Sequence, residues 1–407
     1  MTAFACRAVS AIRDRSYRVS HSPGLSSGKV SDLVDAIDGR KCLLVTTPSV
    51  AGLYANTLAS RLLATGVDLS MLVMHCSEQS KSLAEVEKLC GECFRANLDR
   101  KSVLIGCGGG VCTDLVTMTA ALTRRGLSYI KVPTTLIGLI DAGIGIKGAV
   151  NILGKKSGIG CFYPPDCVLL DPSFLRTLPR RLVSDGLAEA IKVAITFDSG
   201  LFELIEKSSY QVLDSPQDVH HDRVAELVWR SSTLLLDELE MNLYEDRTYE
   251  RFLDFGHTFS PLIEAESDFL ISHGMSVAID IALSSAIGYC LGLLSYADCD
   301  RILSLLRNSG LQIFSSLLTF ERCCRAMSEV EAHRGGRLNL IIPTRIGTAI
   351  LMSKREDLPD ASLRAALSFL QRKTQEDDIV SMNAPLINPS AVTPTDELAP
   401  SVPAAFN

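Results

Sequence analysis

Two charged residues lie in an apolar segment that is predicted to be helical. Glu189 and Lys192 are three positions apart, and their neighbours are leucine, isoleucine, valine and alanine. Residues three apart share one face of a helix. Charges in apolar surroundings are usually paired or bound to a ligand. The spacing therefore indicates either an intrahelical ion pair or part of a functional site.

Two of the seven histidines have glycine neighbours in helical surroundings, namely His257 and His273. With Glu189 they would supply two imidazoles and one carboxylate, a ligand set of catalytic zinc that leaves positions for water and substrate. Glu189 lies far upstream of both, so spacing alone does not establish the set. A single helical histidine is more often a hydrogen-bonded core or surface group, and this alternative stays open.

A glycine cluster, Gly108-Gly109-Gly110, leaves a predicted strand and opens a predicted helix that carries Asp114. Backbone N–H groups of glycines at a helix N-terminus can approach a phosphate closely. The cluster lacks the GxGxxG spacing and equally fits a tight turn. The next strand ends at Pro133-Thr134-Thr135, which places two hydroxyls where ligands of open α/β sheets bind, although a threonine-capped turn also explains them.

A glycine-rich segment carries Asp141 and Lys147, and Asn151, Lys155 and Lys156 follow closely. Such a loop lets charged groups converge on an anionic ligand without crowding by side chains. A solvated basic loop is the alternative. The apolar neighbours of Lys147 favour a functional role.

Short apolar runs alternate with helical patterns in the first half of the chain and predict buried parallel strands. The runs are Cys42–Thr46, Leu69–Met74, Val103–Cys107, Tyr129–Val132 and Val168–Leu170. Between them, an apolar period typical of helices covers Val50–Ala64, Ser82–Ala96 and Thr113–Arg124. This alternation predicts a Rossmann-like α/β domain that binds a dinucleotide.

Helical patterns dominate after Asp171, so the second domain is predicted to be mostly α-helical, with one short extended segment at Arg337–Ile342. The predicted helices are Phe174–Leu178, Leu182–Phe197, Ala225–Asn242, Thr258–Ala265, His273–Leu293 and Ala297–Arg307. We predict a flexible N-terminus over 1–24, the α/β domain over 25–172, the helical domain over 173–373 and a disordered tail over 374–407.

Composition limits the classes of partner. The 407 residues are 47% hydrophobic with a formal charge of −7, which gives no electrostatic field for nucleic acid. No uninterrupted apolar run reaches the roughly 18 to 20 residues of a membrane span. The 13 cysteines are scattered and often lie in apolar runs, as reduced core cysteines do. We therefore predict a cytoplasmic protein with a small-molecule substrate.

The order of these motifs resembles the sugar phosphate cyclases of the dehydroquinate synthase-like family. The resemblance extends over roughly Val45 to Gly347. It implies an N-terminal NAD domain joined to a helical, metal-binding domain, and NAD that is reduced and reoxidised within one turnover. The motifs are Gly108 to Asp114, Arg124 to Gly126, Pro133 to Leu136, Asp141 to Lys147, Gly186 to Lys192 and Asp254 to Phe259.

Carried over position by position, the resemblance implies roles for individual residues. Those implied to contact NAD are Glu78, Lys81, Gly109, Gly110, Val111, Asp114, Thr134, Thr135, Ile137, Lys156 and Thr177. Glu189, His257 and His273 match the metal ligands, and zinc or cobalt suits such a set. Those implied to act on the substrate are Asp141, Lys147 and Lys192. Arg125 matches an arginine that reaches a phosphate across a dimer interface in the family, so a homodimer is expected.

Departures from the dehydroquinate enzymes concern the substrate. Asp254 and Pro261 replace an amide and an imidazole of their Asn-x-Gly-His-Thr-x-Gly-His motif, and Ser157 replaces an asparagine. No lysine occurs between Tyr210 and Ser260, where those enzymes hold the substrate carboxylate. A buried carboxylate without these partners would be uncompensated. A sugar phosphate with a neutral head group is expected instead.

Asp254, Pro261 and His333 resemble the sedoheptulose 7-phosphate cyclases of the 2-epi-5-epi-valiolone type. The relatives that form desmethyl-4-deoxygadusol lack the aspartate and the histidine. The expected reaction is oxidation of a secondary alcohol, phosphate elimination, re-reduction, ring opening and aldol closure to a C7 cyclitol. We expect Asp141, Lys147, Lys192 and His257 to be catalytic, and Arg125, Asp254, Ser157 and His333 to bind substrate.

Several alternatives remain open. Within the family they are 2-epi-valiolone, desmethyl-4-deoxygadusol and 3-dehydroquinate synthases. A glycerol-dehydrogenase-like oxidoreductase would release NADH with a polyol. A non-catalytic NAD-binding regulator would bind NAD but release no phosphate from any sugar phosphate.

Overall fold

A six-stranded parallel sheet forms the N-terminal part of the molecule. The computed structural model describes residues 16–214, 221–248, 250–333 and 335–383. The sheet order is β1-β8-β5-β4-β2-β3, with every neighbouring pair parallel. Its strands are β1 (Arg18–His21), β2 (Cys42–Thr46), β3 (Leu69–Val73), β4 (Val103–Gly108), β5 (Ser128–Pro133) and β8 (Cys167–Leu170).

Helices cover both faces of this sheet, because its central strands are apolar on both sides. They are α1 (Ser31–Ile37), α2 (Pro48–Val50), α3 (Asn56–Ala64), α4 (Leu83–Arg95), α5 (Gly110–Leu122) and α6 (Leu136–Ile140). One apolar cluster packs α1 and α3 against one face, and a second packs α4 and α5 against the other. A π-helical turn, Ala51–Ala55, joins α2 to α3. These elements confirm the predicted α/β domain.

The C-terminal part is mostly helical, as predicted, and has its own apolar core. Its helices are α7 (Arg180–Phe197), α8 (Ser199–Asp214), α9 (His221–Met241), α10 (Ser260–Glu266), α11 (His273–Cys290), α12 (Tyr296–Asn308), α13 (Phe320–His333) and α14 (Asp360–Asn383). Short 3-10 turns lie at Leu25–Ser27, Thr123–Arg125, Pro172–Thr177, Phe252–Asp254 and Arg355–Asp357. In the described part of the chain, no helix combines the length and the apolar character needed to cross a bilayer.

Two antiparallel hairpins extend the prediction. The first joins β6 (Lys147–Ile152) to β7 (Lys155–Phe162), so Lys147 begins a strand rather than lying in a loop. The second joins β9 (Leu340–Arg345) to β10 (Thr348–Met352), where one extended segment was expected. Strands β7 and β10 have exposed or mixed faces, which gave weak apolar patterns in the sequence.

Two predicted boundaries are wrong. The N-terminus was expected to be flexible over residues 1–24, yet Arg18–His21 forms an edge strand that pairs with Cys167–Leu170. The tail was expected to begin at residue 374, yet α14 continues to Asn383. The polar composition of both segments hid their pairing and helical continuation. The rest of the predicted tail, 384–407, lies outside the described residues. Every cysteine that the structure describes is free, as expected.

Candidate active site and metal centre

A cavity of about 740 Å³ lies between the carboxyl ends of the sheet strands and the helical half. Thr47, after β2, and Gly109, after β4, line one side. Lys192, His257 and His273 line the other. Strands β2 and β4 are neighbours whose connections leave in opposite directions along the sheet. The cavity therefore occupies the switch point where open α/β sheets bind ligands.

The N-terminus of α5 faces this cavity through Gly109 and Gly110. A Cβ atom on Gly109 would lie 2.9 Å from Cγ2 of Thr135, so a larger residue would displace the neighbouring wall. Thr135 also caps α6, because its hydroxyl accepts from the N–H of Gly138 at 3.2 Å. A helix N-terminus with close-packed glycines fits the phosphates of a dinucleotide. The predicted cofactor residues Val111 and Ile137 line the same cavity.

An ion pair lies beneath this end of the cavity. Lys81 is 4% exposed and contacts the carboxylate of Asp114. Burial lowers the pKa of Lys81, but Asp114 and Glu78 raise it overall, which keeps the amine charged. Asn151 donates to Glu78 Oε1 at 2.9 Å and accepts from the N–H of Ser157 at 2.8 Å. The contact with Glu78 ties the β6–β7 hairpin to the α/β domain, whereas the contact with Ser157 lies within the hairpin.

Two residues expected to contact the cofactor lie outside the described lining of this cavity. Thr134 is buried, and its N–H donates to the carbonyl of Gly108 at 3.0 Å. Thr177 lies in a 3-10 turn, and its hydroxyl is hydrogen-bonded to Tyr54. Thr134 precedes Thr135, which lines the cavity. The predicted cofactor contacts of Thr134 and Thr177 stay predictions.

Three residues from separate elements converge as a group that could hold a metal ion. Glu189 projects from α7, His257 lies between a 3-10 turn and α10, and His273 begins α11. One ligand atom of each lies within 4.8 Å of the others. Glu189 Oε1 is 3.8 Å from His257 Nε2 and 3.1 Å from His273 Nε2. The grouping predicted from the sequence is therefore present in the fold.

The cluster fits a small divalent ion. Ligands of tetrahedral zinc at about 2.1 Å are separated by about 3.4 Å, and the two carboxylate-to-imidazole distances bracket this value. Glu189 is 1% exposed. Among the described residues, its two carboxylate oxygens accept no hydrogen bond of good geometry, although Lys192 Nζ lies 2.5 Å from Oε2. A buried carboxylate with unfilled acceptor capacity suits metal coordination.

The helices that carry two of the ligands touch through their backbones. A Cβ atom on Gly274 would lie 2.3 Å from Cα and O of Asp185. Asp185 lies one helical turn before Glu189, and Gly274 follows His273. The hydroxyl of Ser272 donates to Asp185 at 2.5 Å and fixes this junction. Only glycine permits such an approach.

The two imidazoles differ electrostatically in the metal-free protein. Burial lowers the pKa of His257 to about 4, and the Lys192 ammonium adds to this effect. At His273, burial and Lys156 lower the pKa, but the carboxylates of Glu264 and Glu189 raise it to about 9. At neutral pH, His257 is therefore a neutral ligand, whereas His273 must lose a proton before it binds a metal.

Lys192 links the metal cluster to the substrate side of the cavity. Its Nζ lies 2.5 Å from Glu189 Oε2 and 3.6 Å from Asp141 Oδ2. Burial favours a neutral amine, but these two carboxylates raise the pKa of Lys192 overall. Burial raises the pKa of Asp141 despite the nearby ammonium. The intrahelical ion pair left open by the sequence is present, and its lysine lines the cavity.

A second charged group includes Lys147 at the start of β6. Lys147 and Arg251 both contact the carboxylate of Glu245. Arg251 Nη1 lies 4.0 Å from Asp254 Oδ1, and Asp254 lines the cavity with Lys147. Ser157 also lines it. The fold thus brings the predicted Lys147, Asp254 and Ser157 to one cavity.

Several residues at or beside the cavity were not predicted, and one predicted substrate residue, Arg125, does not line it. The lining residues Glu264 and Arg251, and their neighbour Glu245, were not predicted because none stands in a local motif. An acid on the helix between His257 and His273 was a usable signal for Glu264. Arg125 is exposed in the turn after α5, outside the described lining. His333 ends α13, and its side chain lies outside the described residues.

Comparison with known families agrees with this architecture. The 3-dehydroquinate synthase N-terminal family matches residues 71–185, and the 3-dehydroquinate synthase C-terminal family matches residues 186–331. The change from one to the other falls within α7, just before Glu189.

Three relatives share most of the chain. A 2-epi-5-epi-valiolone synthase of Streptomyces glaucescens is 37% identical over 361 residues, which cover 88% of this chain and 92% of that protein. Another 2-epi-5-epi-valiolone synthase, from an Actinoplanes species, is 36% identical, and the match covers 85% of this chain and 87% of that protein. The solved 2-epi-5-epi-valiolone synthase of Streptomyces hygroscopicus, with NAD+ and Zn2+ bound, has a TM-score of 0.85 and 33% identity, covering 90% of this chain and 100% of that one. This chain therefore belongs to the dehydroquinate synthase-like family of sugar phosphate cyclases.

Proposed function

We propose that this protein converts sedoheptulose 7-phosphate into 2-epi-5-epi-valiolone with release of phosphate, using NAD and zinc. The names of the relatives support this reaction. The structural observation that carries it is the position of Asp254, whose carboxylate lines the substrate side of the cavity. It stands where dehydroquinate synthases have an amide, as the sequence indicated.

The charge balance of the cavity favours a substrate with a neutral head group. Each lysine or arginine that lines the cavity contacts a carboxylate. The pairs are Lys81–Asp114, Lys147–Glu245, Lys156–Glu264, Lys192–Glu189 and Arg251–Glu245. These pairs contain five cations and four carboxylates, and three further acids, Glu78, Asp141 and Asp254, also line the cavity. A carboxylate on the substrate would therefore be buried next to acids, at a considerable cost in free energy.

The cofactors follow from the two halves of the cavity. The helix N-terminus at Gly109 would hold the phosphates of NAD, and Lys81, Asp114 and Glu78 would hold the rest of the nucleotide. Glu189, His257 and His273 would hold zinc, or cobalt, which suits similar ligands. When bound, NAD exchanges a hydride with the substrate and the metal polarises a substrate oxygen.

Lys192 and Asp141 would act on the reacting carbons. The raised pKa keeps the Lys192 amine protonated at neutral pH, so it can donate hydrogen bonds to substrate oxygens as negative charge develops on them. Asp141 holds the ammonium from the opposite side at 3.6 Å. The departing phosphate can itself accept the proton from the neighbouring carbon, so no protein base is assigned.

Lys147 and Arg251 would hold the substrate phosphate. Both contact Glu245 in the ligand-free structure, and a phosphate dianion entering between them would take over these contacts. Arginine suits this role because its planar guanidinium binds two phosphate oxygens at once. Arg125 is exposed away from the cavity, so it would reach a phosphate only in a partner subunit.

We also propose that the protein is a homodimer located in the cytoplasm. Sedimentation equilibrium at micromolar protein measures the oligomeric state, and a monomer would refute the homodimer.

The reaction is tested directly. Purified protein with sedoheptulose 7-phosphate, NAD and Zn2+ should release phosphate, and NMR should identify 2-epi-5-epi-valiolone. Asp254→Asn should lower this turnover by at least about 100-fold through loss of substrate contacts. Phosphate release from the heptulosonate substrate of dehydroquinate synthase, with none from sedoheptulose 7-phosphate, would refute the proposal. Another C7 cyclitol as product would refute the stereochemical part alone.

A further inference from the structure

Glu264 lies in α10, between the two histidines of the metal cluster in sequence but outside the ligand set. Its side chain is 3% exposed. Oε1 lies 2.9 Å from His273 Nδ1, and Oε2 contacts Nζ of Lys156. One buried carboxylate thus contacts both a residue of the metal cluster and a residue of the β6–β7 hairpin.

The two nitrogens of His273 face different partners. Nε2 lies 3.1 Å from Glu189 Oε1 and so faces the cluster, whereas Nδ1 faces Glu264. A neutral imidazole that binds a metal through Nε2 must carry its proton on Nδ1. A carboxylate that accepts from Nδ1 favours this tautomer and makes the ligand more basic. His257 differs, because its Nδ1 lies 3.1 Å from the backbone carbonyl of Phe255.

Lys156 would favour the opposite tautomer. Its Nζ lies 3.0 Å from His273 Nδ1. An ammonium is only a donor, so a hydrogen bond from Lys156 would require a lone pair on Nδ1 and place the ring proton on Nε2. That tautomer cannot bind a metal through Nε2. Glu264 accepts a hydrogen bond from Lys156 through Oε2 and from His273 Nδ1 through Oε1. The ammonium therefore has an acceptor other than Nδ1, and Nδ1 can keep its proton.

We propose that Glu264 is a positioning residue that selects the metal-binding tautomer of His273 against the competing ammonium of Lys156. This inference rests on the proposed metal site. It assigns to Glu264 no contact with substrate or metal. It also predicts that replacing Lys156 partly restores the zinc affinity that is lost when Glu264 is replaced.

The test compares zinc dissociation constants measured by chelator competition. Glu264→Gln should weaken zinc binding about 10- to 100-fold, as the loss of such outer partners does. The double variant Glu264→Gln/Lys156→Met should bind zinc about 3- to 10-fold more tightly than Glu264→Gln, because the competing donor is gone. Glu266→Gln on the same helix, whose side chain pairs with Arg322 and Arg325, should bind zinc as the unaltered protein does.

A spectroscopic measurement separates positioning from a general loss of structure. The visible spectrum of the Co2+ form should change in Glu264→Gln and stay unchanged in Glu266→Gln, with equal melting temperatures of the metal-free variants. Unaltered zinc affinity in Glu264→Gln, or no gain in the double variant, overturns the proposal. If Glu189→Gln binds zinc normally, the metal site itself is refuted and this inference with it.

The unaltered protein gives a test that does not depend on a variant folding. Nitrogen NMR of the zinc-loaded protein should show His273 protonated at Nδ1 and coordinated through Nε2. Protonation at Nε2, or coordination through Nδ1, would overturn the role of Glu264 even if its variants do not fold.

Discussion

The cofactor side and the metal side of the cavity are built in different ways. On the cofactor side, backbone groups at Gly109 and Gly110 come from one continuous strand-to-helix connection. On the metal side, Glu189, His257 and His273 come from three separate elements. The first and the last of them are 84 positions apart in the sequence. Backbone sites depend on space, whereas side-chain sites depend on charge and protonation. The two sides should therefore fail differently when altered.

The largest effect is expected from loss of a metal ligand. His257→Ala should remove stoichiometric zinc and lower turnover on the order of 10³-fold or more, because the metal supplies several kcal/mol of transition-state stabilisation. NAD binding, on the other side, should persist. Metal analysis and phosphate release measure both effects, with the exposed His75→Ala as the control. Full activity in His257→Ala would show that the metal side does not depend on this ligand, which would contradict the contrast between the two sides of the cavity.

The metal side should also respond to pH. His273 holds a proton up to about pH 9 and His257 only below about pH 4, so zinc binding displaces about one proton between these values. The zinc dissociation constant should fall about tenfold per pH unit between about pH 6 and 8. Calorimetry in buffers of different ionisation enthalpy counts the protons directly. Release of two protons, or none, would contradict the assigned charge states.

The same shift has a consequence for the metal-free protein. The folded state binds the His273 proton more tightly than the unfolded state, so this contribution to stability is fully present below about pH 6.5 and is lost as the pH rises to about 9. The depressed pKa of His257 acts in the opposite direction between about pH 4 and 6.5. Urea denaturation of the metal-free protein across these pH ranges measures how the free energy of unfolding changes with pH in each range.

The cofactor side should respond to volume instead. Gly109→Ala places a Cβ atom 2.9 Å from Thr135 Cγ2 and should weaken NAD binding about 10- to 100-fold, in line with the cost of overpacking. Zinc affinity should not change. Gly52→Ala is the matched control, because its Cβ atom would meet nothing within 4 Å. Fluorescence titration with NADH measures the affinity. Equal affinities of Gly109→Ala and the unaltered protein would show that the close packing at Gly109 does not matter for binding.

The smallest expected effect concerns the stability of the α/β domain. Thr135→Val keeps the side-chain shape but removes the acceptor for the N–H of Gly138. Loss of such a cap should lower the free energy of unfolding by about 1 kcal/mol. Urea denaturation measures it. A decrease in zinc affinity in this variant would show that the two sides are not independent.

The same contrast explains what the sequence could predict. The central strands, such as Val103–Gly108, are buried on both faces and stand out as apolar runs. Arg18–His21 and Lys155–Phe162 pair largely through backbone groups at exposed edges, so their side chains carry little signal. The resemblance supplied the metal ligands, but Glu264 and Glu245 entered only through three-dimensional contacts with Lys156 and Lys147. Local patterns do not encode such long-range pairs.

The backbone contact between Gly274 and Asp185 has a consequence for ion selection. Because α7 and α11 already touch at this junction, main-chain contact holds the backbones of Glu189 and His273 at a fixed separation, and only their side-chain rotamers can adjust. A cation such as calcium requires six to eight oxygen ligands at 2.3–2.6 Å. The cluster offers one carboxylate and one imidazole from the two touching helices and a second imidazole from His257, which does not supply that number of oxygen ligands. A fixed junction with few oxygen ligands therefore favours small ions that accept nitrogen ligands, such as zinc or cobalt.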